Sequence, residues 1–206
     1  QLSVKATVAA TEAMPEIHSG AATDEQIAFR RRQDGGYTLA AGGSHLLYVG
    51  PDVFRHAPKY FSTLKAHPFG TRYRPAAPRG YPDAWSTGRD WEADGKSPFE
   101  QMRVLNPTPE AGALRTIDQR FRALFPQVGD LRFKAIWAGM IDAMPDAVPI
   151  VDRVAAVPGL IVGTGMSGHG FGIGPGIGRV LSDLIQGNGV GYDLGRFRLS
   201  RFSDGS

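Results

Sequence analysis

The residues whose types and spacing could do chemistry lie towards the C-terminal end, in Gly159-Leu160-Ile161-Val162-Gly163-Thr164-Gly165-Met166-Ser167-Gly168-His169-Gly170-Phe171-Gly172-Ile173-Gly174-Pro175-Gly176-Ile177-Gly178 and onward to Gly187. Gly163-x-Gly165-x-x-Gly168 satisfies the dinucleotide fingerprint, whose glycines let backbone meet a pyrophosphate. Four more alternating glycines then intervene before the expected helix, and the chain after Gly168 is too short for more than one βαβ unit, so a self-contained NAD site is set aside. Ser167 near His169 suggests a nucleophile elbow and a Ser-dependent hydrolase. In that pattern the fifth position is His169 rather than glycine, and residues two apart in a loop rarely align a hydroxyl, an imidazole and a third partner. A glycine turn with only a packing role is the plainest alternative. The favoured reading is the last crossover of a nucleotide-binding domain: a short buried strand, a glycine loop, then a helix. Pro175 suits that helix's first turn, Ile177, Val180, Leu181, Leu184 and Ile185 form its apolar stripe, and its free N–H groups favour an anion or a polar acceptor.

Other chemistries find less support. The chain has no cysteine, hence no disulfide, thiolate nucleophile or Cys-ligated metal. His18, His45, His56, His67 and His169 are dispersed without a close ligand pair, so no metal site is expected. Arg30-Arg31-Arg32 could grip an anion, although a basic strand edge that discourages aggregation is the plainer reading. Asp142 and Asp146 read as turn and hydrogen-bonding residues rather than catalytic bases. The 23 basic and 20 acidic residues are scattered, for a net charge of +3, which excludes a dense nucleic-acid footprint. No apolar run approaches a membrane span and no signal-peptide segment opens the chain, so the cytoplasm is the expected location.

These residues need elements to position them. A chain of 206 residues, 42% hydrophobic, can bury a core, and its 27 glycines and 15 prolines sit among apolar runs, as in a loop-rich α/β or α+β enzyme. Val4 to Ala10 reads as a strand that begins abruptly, compatible with a fragment or a processed subunit. Ile27 to Arg32 and Tyr37 to Ala41 form an antiparallel pair around Asp34-Gly35. From Pro51 to His67, Val53, Phe54, Ala57, Tyr60, Phe61 and Leu64 share one helical face, kinked at Pro58. Pro68 to Gly95 is a long irregular excursion whose Trp85 and Trp91 either roof a pocket or pack on the body. A second helix is capped by Thr108, carries Pro109 in its first turn, buries Leu114, Ile117, Phe121, Leu124 and Phe125, and stops at Pro126. Leu131 to Trp137 alternates at period two, with Leu131, Phe133, Ala135 and Trp137 on the buried face.

Two motifs then carry a resemblance. Trp137-Ala138-Gly139 followed by Met144-Pro145-Asp146-Ala147-Val148-Pro149-Ile150-Val151, and the glycine segment with Gly174-Pro175 and Gly178 behind it, resemble the C-terminal half of the D-amino-acid oxidase-type flavoproteins, which include glycine oxidase, sarcosine oxidase and D-amino-acid dehydrogenase. The likeness is strongest from Trp137 onward, weaker from Gln1 to Gly43 and poor across Pro68 to Gly95. It implies an α+β chain: residues 1–150 as an antiparallel-sheet substrate domain with helices, and residues 151–206 as the terminal strand, loop and helix of an FAD-binding domain. The implied cofactor is FAD, held by Gly165, Met166, Ser167, Gly168, His169, Gly170, Phe171, Gly172, Ile173 and Gly174. The implied chemistry is oxidation of an amine or amino acid at its C–N bond, with Trp137, Met140, Tyr48, Arg30 and His169 around the substrate and no side-chain nucleophile.

Two departures qualify the resemblance. Several members carry an arginine shortly after Trp-Ala-Gly to pair with the substrate carboxylate, where this sequence has Met140 and Ile141. Arg30 or Arg103 would then serve, or the substrate would be a secondary amine or an opine-like compound. The family's N-terminal glycine fingerprint has no counterpart here, so an FAD-binding half on another chain or a cleaved piece is the implied partner, in a hetero-oligomer. A noncatalytic flavoprotein subunit is the remaining alternative.

Overall fold

A computed structural model describes residues 2–66 and 71–204; His67 and Pro68, and the side chain of Leu64, lie outside the described residues. The elements run β1 (Leu2–Thr11), β2 (Ala21–Thr23), β3 (Ile27–Arg31), β4 (Tyr37–Ala41), β5 (His45–Tyr48), α1 (Pro51–Ala66), β6 (Thr71–Arg74), α2 (Pro98–Gln101), α3 (Ala111–Leu124), β7 (Phe133–Ala143), β8 (Ile150–Arg153), β9 (Ile161–Thr164) and α4 (Gly170–Gln186). This is a mixed α/β chain with a mainly antiparallel sheet. Its main sheet has the order β2-β3-β4-β1-β5-β6, with β7 also paired to β1, while β8 and β9 pair separately. Contacts divide the chain into two compact units, one of Gln1–Ser3, Val53–Ala66 and Ile141–Ser206, the other of Val4–Asp52 and His67–Met140.

In the larger unit the hairpin expected around Asp34-Gly35 is present. Gly35 takes φ 80°, Asp34 accepts the Gly36 N–H, and Ile27 to Arg31 pair antiparallel with Tyr37 to Ala41. The sheet is not wholly antiparallel, since β5 and β6 run parallel. Parallel neighbours need a connection of about a dozen residues or more, and α1 lies within this one. Strand β6 also interrupts the segment read as irregular throughout. The stretch beyond β6 is irregular but anchored, because Arg89 pairs with both Asp52 and Asp83, Asp83 accepts the Asp52 N–H, and the Trp85 indole donates to Val49 O and Pro75 O. Ser97 and Glu100 close a reciprocal capping box at the start of α2.

One face of the sheet meets α3. Ile27, Tyr37, Leu39, Ile117 and Phe121 form the core, with Phe29, Phe125, Leu131 and Phe133 packed against it. Phe29, Phe121 and Phe125 meet ring to ring at centroid distances of 5.1 to 5.7 Å. Helix α3 begins later than its sequence suggests: Glu110 is its N-cap, without a side-chain cap bond, and Thr108 does not cap it. Thr7 on β1 accepts the Glu110 N–H and Lys5 donates to Thr108 O, so the strand beneath supplies what a local cap would have supplied.

Two expected buried stripes are only partly covered. In α1, Tyr60 is buried, but Phe54 is 65% and Phe61 70% exposed. Strand β7 begins at Phe133 rather than Leu131; Leu131 and Phe133 touch the core, whereas Ala135 is exposed and Trp137 is 42% exposed. Periodicity names a face; it does not say what covers it. Phe121→Ala is expected to destabilise the larger unit by about 3 to 5 kcal/mol, because a fully buried ring would leave a cavity among three aromatic neighbours. A denaturant titration of the purified protein checks it.

Candidate functional site

The glycine loop lies wholly in the smaller unit. Strands β8 and β9 pair antiparallel with Val151 opposite Gly163, and the chain then turns through Gly165 to His169 into α4. A side chain at Gly163 would come within 2.8 Å of Leu181 Cδ1, so the absent Cβ lets helix and strand pack closely. At Gly165, φ is 74° and a Cβ would lie 2.5 Å from Met144 Cγ, so this turn requires glycine both for conformation and for space.

Helix α4 starts at Gly170 with His169 as N-cap, not after Pro175, which lies inside the helix. Proline removes one ladder bond, to the carbonyl of Phe171, and the apolar stripe beyond it carries the helix onward. Only Gly165 to His169 is therefore loop; Gly170, Phe171, Gly172, Ile173 and Gly174 are the opening turns of the helix. His169 is exposed and makes no side-chain cap bond. Its carbonyl accepts the Gly172 and Ile173 N–H groups. The N–H groups of Gly170 and Phe171 make no hydrogen bond among the described residues.

The loop is fixed from the end of β7. Asp142 accepts the Gly165 N–H on its carboxylate and the Ser167 N–H on its carbonyl. Ser167, at φ 49°, accepts the Met144 N–H at 3.0 Å and donates to Gly165 O at 3.2 Å. That hydroxyl is committed to the loop and, among the described residues, is not bonded to His169, so the elbow has no assembled nucleophile and base. Asp142 and Asp146 both act as hydrogen-bonding residues, but only Asp146 sits in a turn: Asp142 lies in strand β7, while Asp146 pairs with Arg201 and accepts the Val148 N–H.

The opening turns of α4 carry little side chain, while the Arg179–Asp183 and Gln186–Ser182 pairs occupy its exposed surface further on. Phe171 is fully exposed and Ile185 is 70% exposed. A Cβ at Gly172, Gly174, Gly176 or Gly178 would meet nothing within 4 Å. Of the stripe read from sequence, Val180 is buried, and Ile177, Leu181 and Leu184 are half-buried.

In the larger unit, strand register separates residues that the sequence grouped. Val8 lies opposite Ala40, Ala40 opposite Ala28 and Thr38 opposite Arg30, which puts Arg30 on the face of Val8 and Ala40. Lys5 lies opposite Leu46, so Tyr48 falls on the other face, the one that meets α3, where Lys5 sits over its ring and the Tyr81 ring meets its edge. Arg30 and Tyr48 are therefore not brought together. The three arginines separate as well: Arg31 donates to Met14 O, Arg32 is bidentate to Asp34, and the exposed Arg30 side chain has no partner among the described residues. Met140 is half-buried on β7, three residues after Trp137.

Sequence reasoning missed two residues that support the loop. Tyr60 donates to Ala143 O at 2.6 Å, and Arg201 clamps Asp146 and Val148 O. Neither lies in a motif, and their partners are 83 and 55 residues away.

A family model described as FAD dependent oxidoreductase matches residues 2–184, and the chain belongs to that family. Human peroxisomal sarcosine oxidase is 41% identical over 58 residues, 28% of this chain and 15% of that protein. N-methyl-L-tryptophan oxidase of Salmonella typhi is 38% identical over 82 residues, 40% of this chain and 22% of that protein. Among solved structures, L-amino acid deaminase from Proteus vulgaris aligns with TM-score 0.85 at 25% identity, over 98% of this chain and 46% of that one. The Proteus myxofaciens L-amino acid deaminase, in complex with anthranilate, gives 0.86 at 26%, over 98% and 45%. Glycine oxidase from Geobacillus kaustophilus shares the fold, with TM-score 0.61 at 15% identity, over 98% of this chain and 40% of that one. The chain thus spans less than half the length of each of these relatives.

Burial pushes the Tyr60 phenol up to about 12, from an ordinary 10.0. The folded state therefore favours the protonated phenol, and its contribution is complete below pH 10 and lost as the pH rises towards 12. The loss should be about 2 kcal/mol. Unfolding midpoints of wild type and Tyr60→Phe, compared between pH 9 and pH 12, should show a steeper alkaline decline in wild type.

Proposed function

We propose that the chain serves in FAD-dependent oxidation of an amine or amino acid at its C–N bond, together with a nucleotide-binding half that precedes it or lies on another chain. Family membership supports the cofactor, and the names of the relatives, an L-amino acid deaminase and two amine oxidases, support the substrate class. The observation that carries the reading is the bare opening of α4. Phe171 is fully exposed and Gly172 and Gly174 make room for nothing within the described chain, beside two unbonded N–H groups at the helix start.

The residues present fit a flavin. The stretch Gly165 to Gly174 would hold it, since its glycines admit a flat ring and the N–H groups of Gly170 and Phe171 favour a partner that gains negative charge. When bound, the flavin supplies a hydride acceptor for the carbon beside the substrate nitrogen, and the resulting imine hydrolyses. The chain's own part is to orient and to hold. Asp142 and Ser167 keep the loop in one conformation, Trp137 and Met140 are proposed to contact substrate, His169 to hydrogen-bond beside the ring, and Arg30 to supply the cation for a carboxylate.

A purified preparation containing both halves should be yellow, and an amino-acid or amine substrate should bleach the flavin bands anaerobically. A colourless preparation after addition of FAD, or bands that no such substrate bleaches, would overturn the proposal. Gly172→Ala offers a second check with opposed signs. Replacing a helix glycine with open space around it should stabilise the FAD-free protein by about 0.5 to 1 kcal/mol, while flavin affinity falls. Thermal midpoints and FAD titrations read the two effects.

A further inference from the structure

Within the smaller unit, the C-terminal segment makes contacts that the oxidation chemistry does not call for. Arg201 has a side chain only 7% exposed, yet it is charged and lies in the turn Leu199–Phe202. Its guanidinium spans the Asp146 carboxylate at 2.8 and 3.2 Å, donates to Val148 O at 2.6 Å and to Arg198 O at 3.0 Å, and stacks 4.2 Å from the Phe202 ring centroid. Lys59 of α1 lies 5.5 Å from the same ring, and Asp152 accepts the Leu199 N–H, so the segment is fastened at several points.

Arg201 grips the turn Met144 to Val148. That turn holds Ala147 at φ 56°, and the glycine loop holds Ser167 at φ 49°; they are the only non-glycine residues with positive φ among those described. Each is a sparsely populated conformation that lasts only where its surroundings fix it. The two are linked, because the Met144 N–H donates to Ser167 Oγ and the Met144 side chain fills the space above Gly165. On the outer side, the Val148 N–H donates to Asp146 and the Ala147 N–H to Met144 O, closing the turn. Burial raises the Asp146 carboxyl, but the Arg201 hydrogen bonds, the Val148 N–H and the Arg201 charge outweigh it and leave the group below its ordinary value. Asp146 is thus held ionised and aimed at Arg201.

We infer that Arg201 is a positioning residue for the glycine loop, acting through Asp146 and the Met144 turn to fix Ser167 and Gly165 in the conformation that receives the flavin. The inference rests on the flavin reading of that loop. A bidentate fork is what this role requires: a lysine in its place would keep the charge but could not span both carboxylate oxygens and the Val148 carbonyl with one planar group.

The test compares Arg201→Ala, Arg201→Lys and Asp146→Asn in the purified holoenzyme and after FAD is removed. Peptide-resolved hydrogen exchange is read across residues 142–148, 163–171 and 181–186, and FAD dissociation constants are measured in parallel. Arg201→Ala should speed exchange in both of the first two stretches and weaken FAD binding about tenfold, with exchange over 181–186 unchanged. Asp146→Asn should do the same to a smaller extent, and Arg201→Lys should recover part of the loss. Faster exchange confined to residues 144–148 and 195–204, with wild-type FAD affinity, would overturn the inference and leave Arg201 as a fastener of the tail alone. Should Arg201→Ala fail to fold, the other two variants carry the same comparison. Should wild type take up no FAD, the flavin reading falls, while exchange over 163–171 still decides whether Arg201 reaches the loop.

Discussion

The smaller unit turns on the meeting of two short bends. Asp142 bonds the loop's first and third residues, Ser167 returns a hydroxyl to Met144, and Met144 occupies the volume that any side chain at Gly165 would need. Each bond is worth about 1 kcal/mol net, yet losing one partner would strand a half-buried polar group, which costs more. The bends therefore hold each other. Once the loop is fixed, the N-terminal end of α4 is fixed too, because His169 is both the last loop residue and the helix N-cap. A helix start can serve a cofactor only if its N–H groups do not wander, and here the hydrogen bonds that prevent wandering all lie behind the loop.

In the larger unit the governing constraint is register. The face of the sheet that meets α3 carries the aromatic core, and β1 carries Lys5 and Thr7 into the start of that helix. Lys5 is buried, so its charge needs partners, and it finds them in Thr108 O and in Glu110, 3.5 Å away and itself joined to Arg74. Burying a lysine without them would cost several kcal/mol. A shift of one residue in β1 would move Lys5 to the opposite face and break that arrangement, so the pairing is specified twice, by core packing and by charge. Arg30 stands on the opposite face for the same reason of alternation.

How much of this is legible in the sequence depends on range. The hairpin at Asp34-Gly35 is readable because the turn chemistry is local, and so is the strand, glycine loop and helix of the C-terminal segment, because its glycines and apolar stripe are consecutive. The start of α4 is misread because Pro175 usually marks a first turn, and nothing local reveals that the loop ends at His169, held by bonds from Gly165 and Ser167 to Asp142 of β7. Thr108 fails as a cap for a related reason, since Thr7, a hundred residues earlier, makes the bond to the Glu110 N–H instead. The resemblance groups Tyr48 with Arg30 around the substrate, whereas only the pairing shows that they face apart. Tyr60 and Arg201 carry no motif at all, and their work appears only when distant segments are seen together.

The surface of α4 has two characters, and the contrast constrains what can lie beside it. On one side Gly163 yields to Leu181, so that helix and strand touch, and Val180 is buried. Elsewhere around the helix, a Cβ at Gly172, Gly174, Gly176 or Gly178 would meet nothing within 4 Å, and Phe171 is bare. Helix glycines cost about 0.5 to 1 kcal/mol each relative to alanine, so four together weaken the helix by roughly 2 to 4 kcal/mol. Nothing within the described chain returns that energy. The Arg179–Asp183 and Gln186–Ser182 pairs give water a neighbour along the later turns, but over the opening turns glycine and Phe171 offer water little, and a neighbouring side chain would find no knobs to pack between. A broad, flat and partly polar neighbour that approaches the backbone itself, and meets N–H groups at the helix start, satisfies both the missing side chains and the unbonded donors.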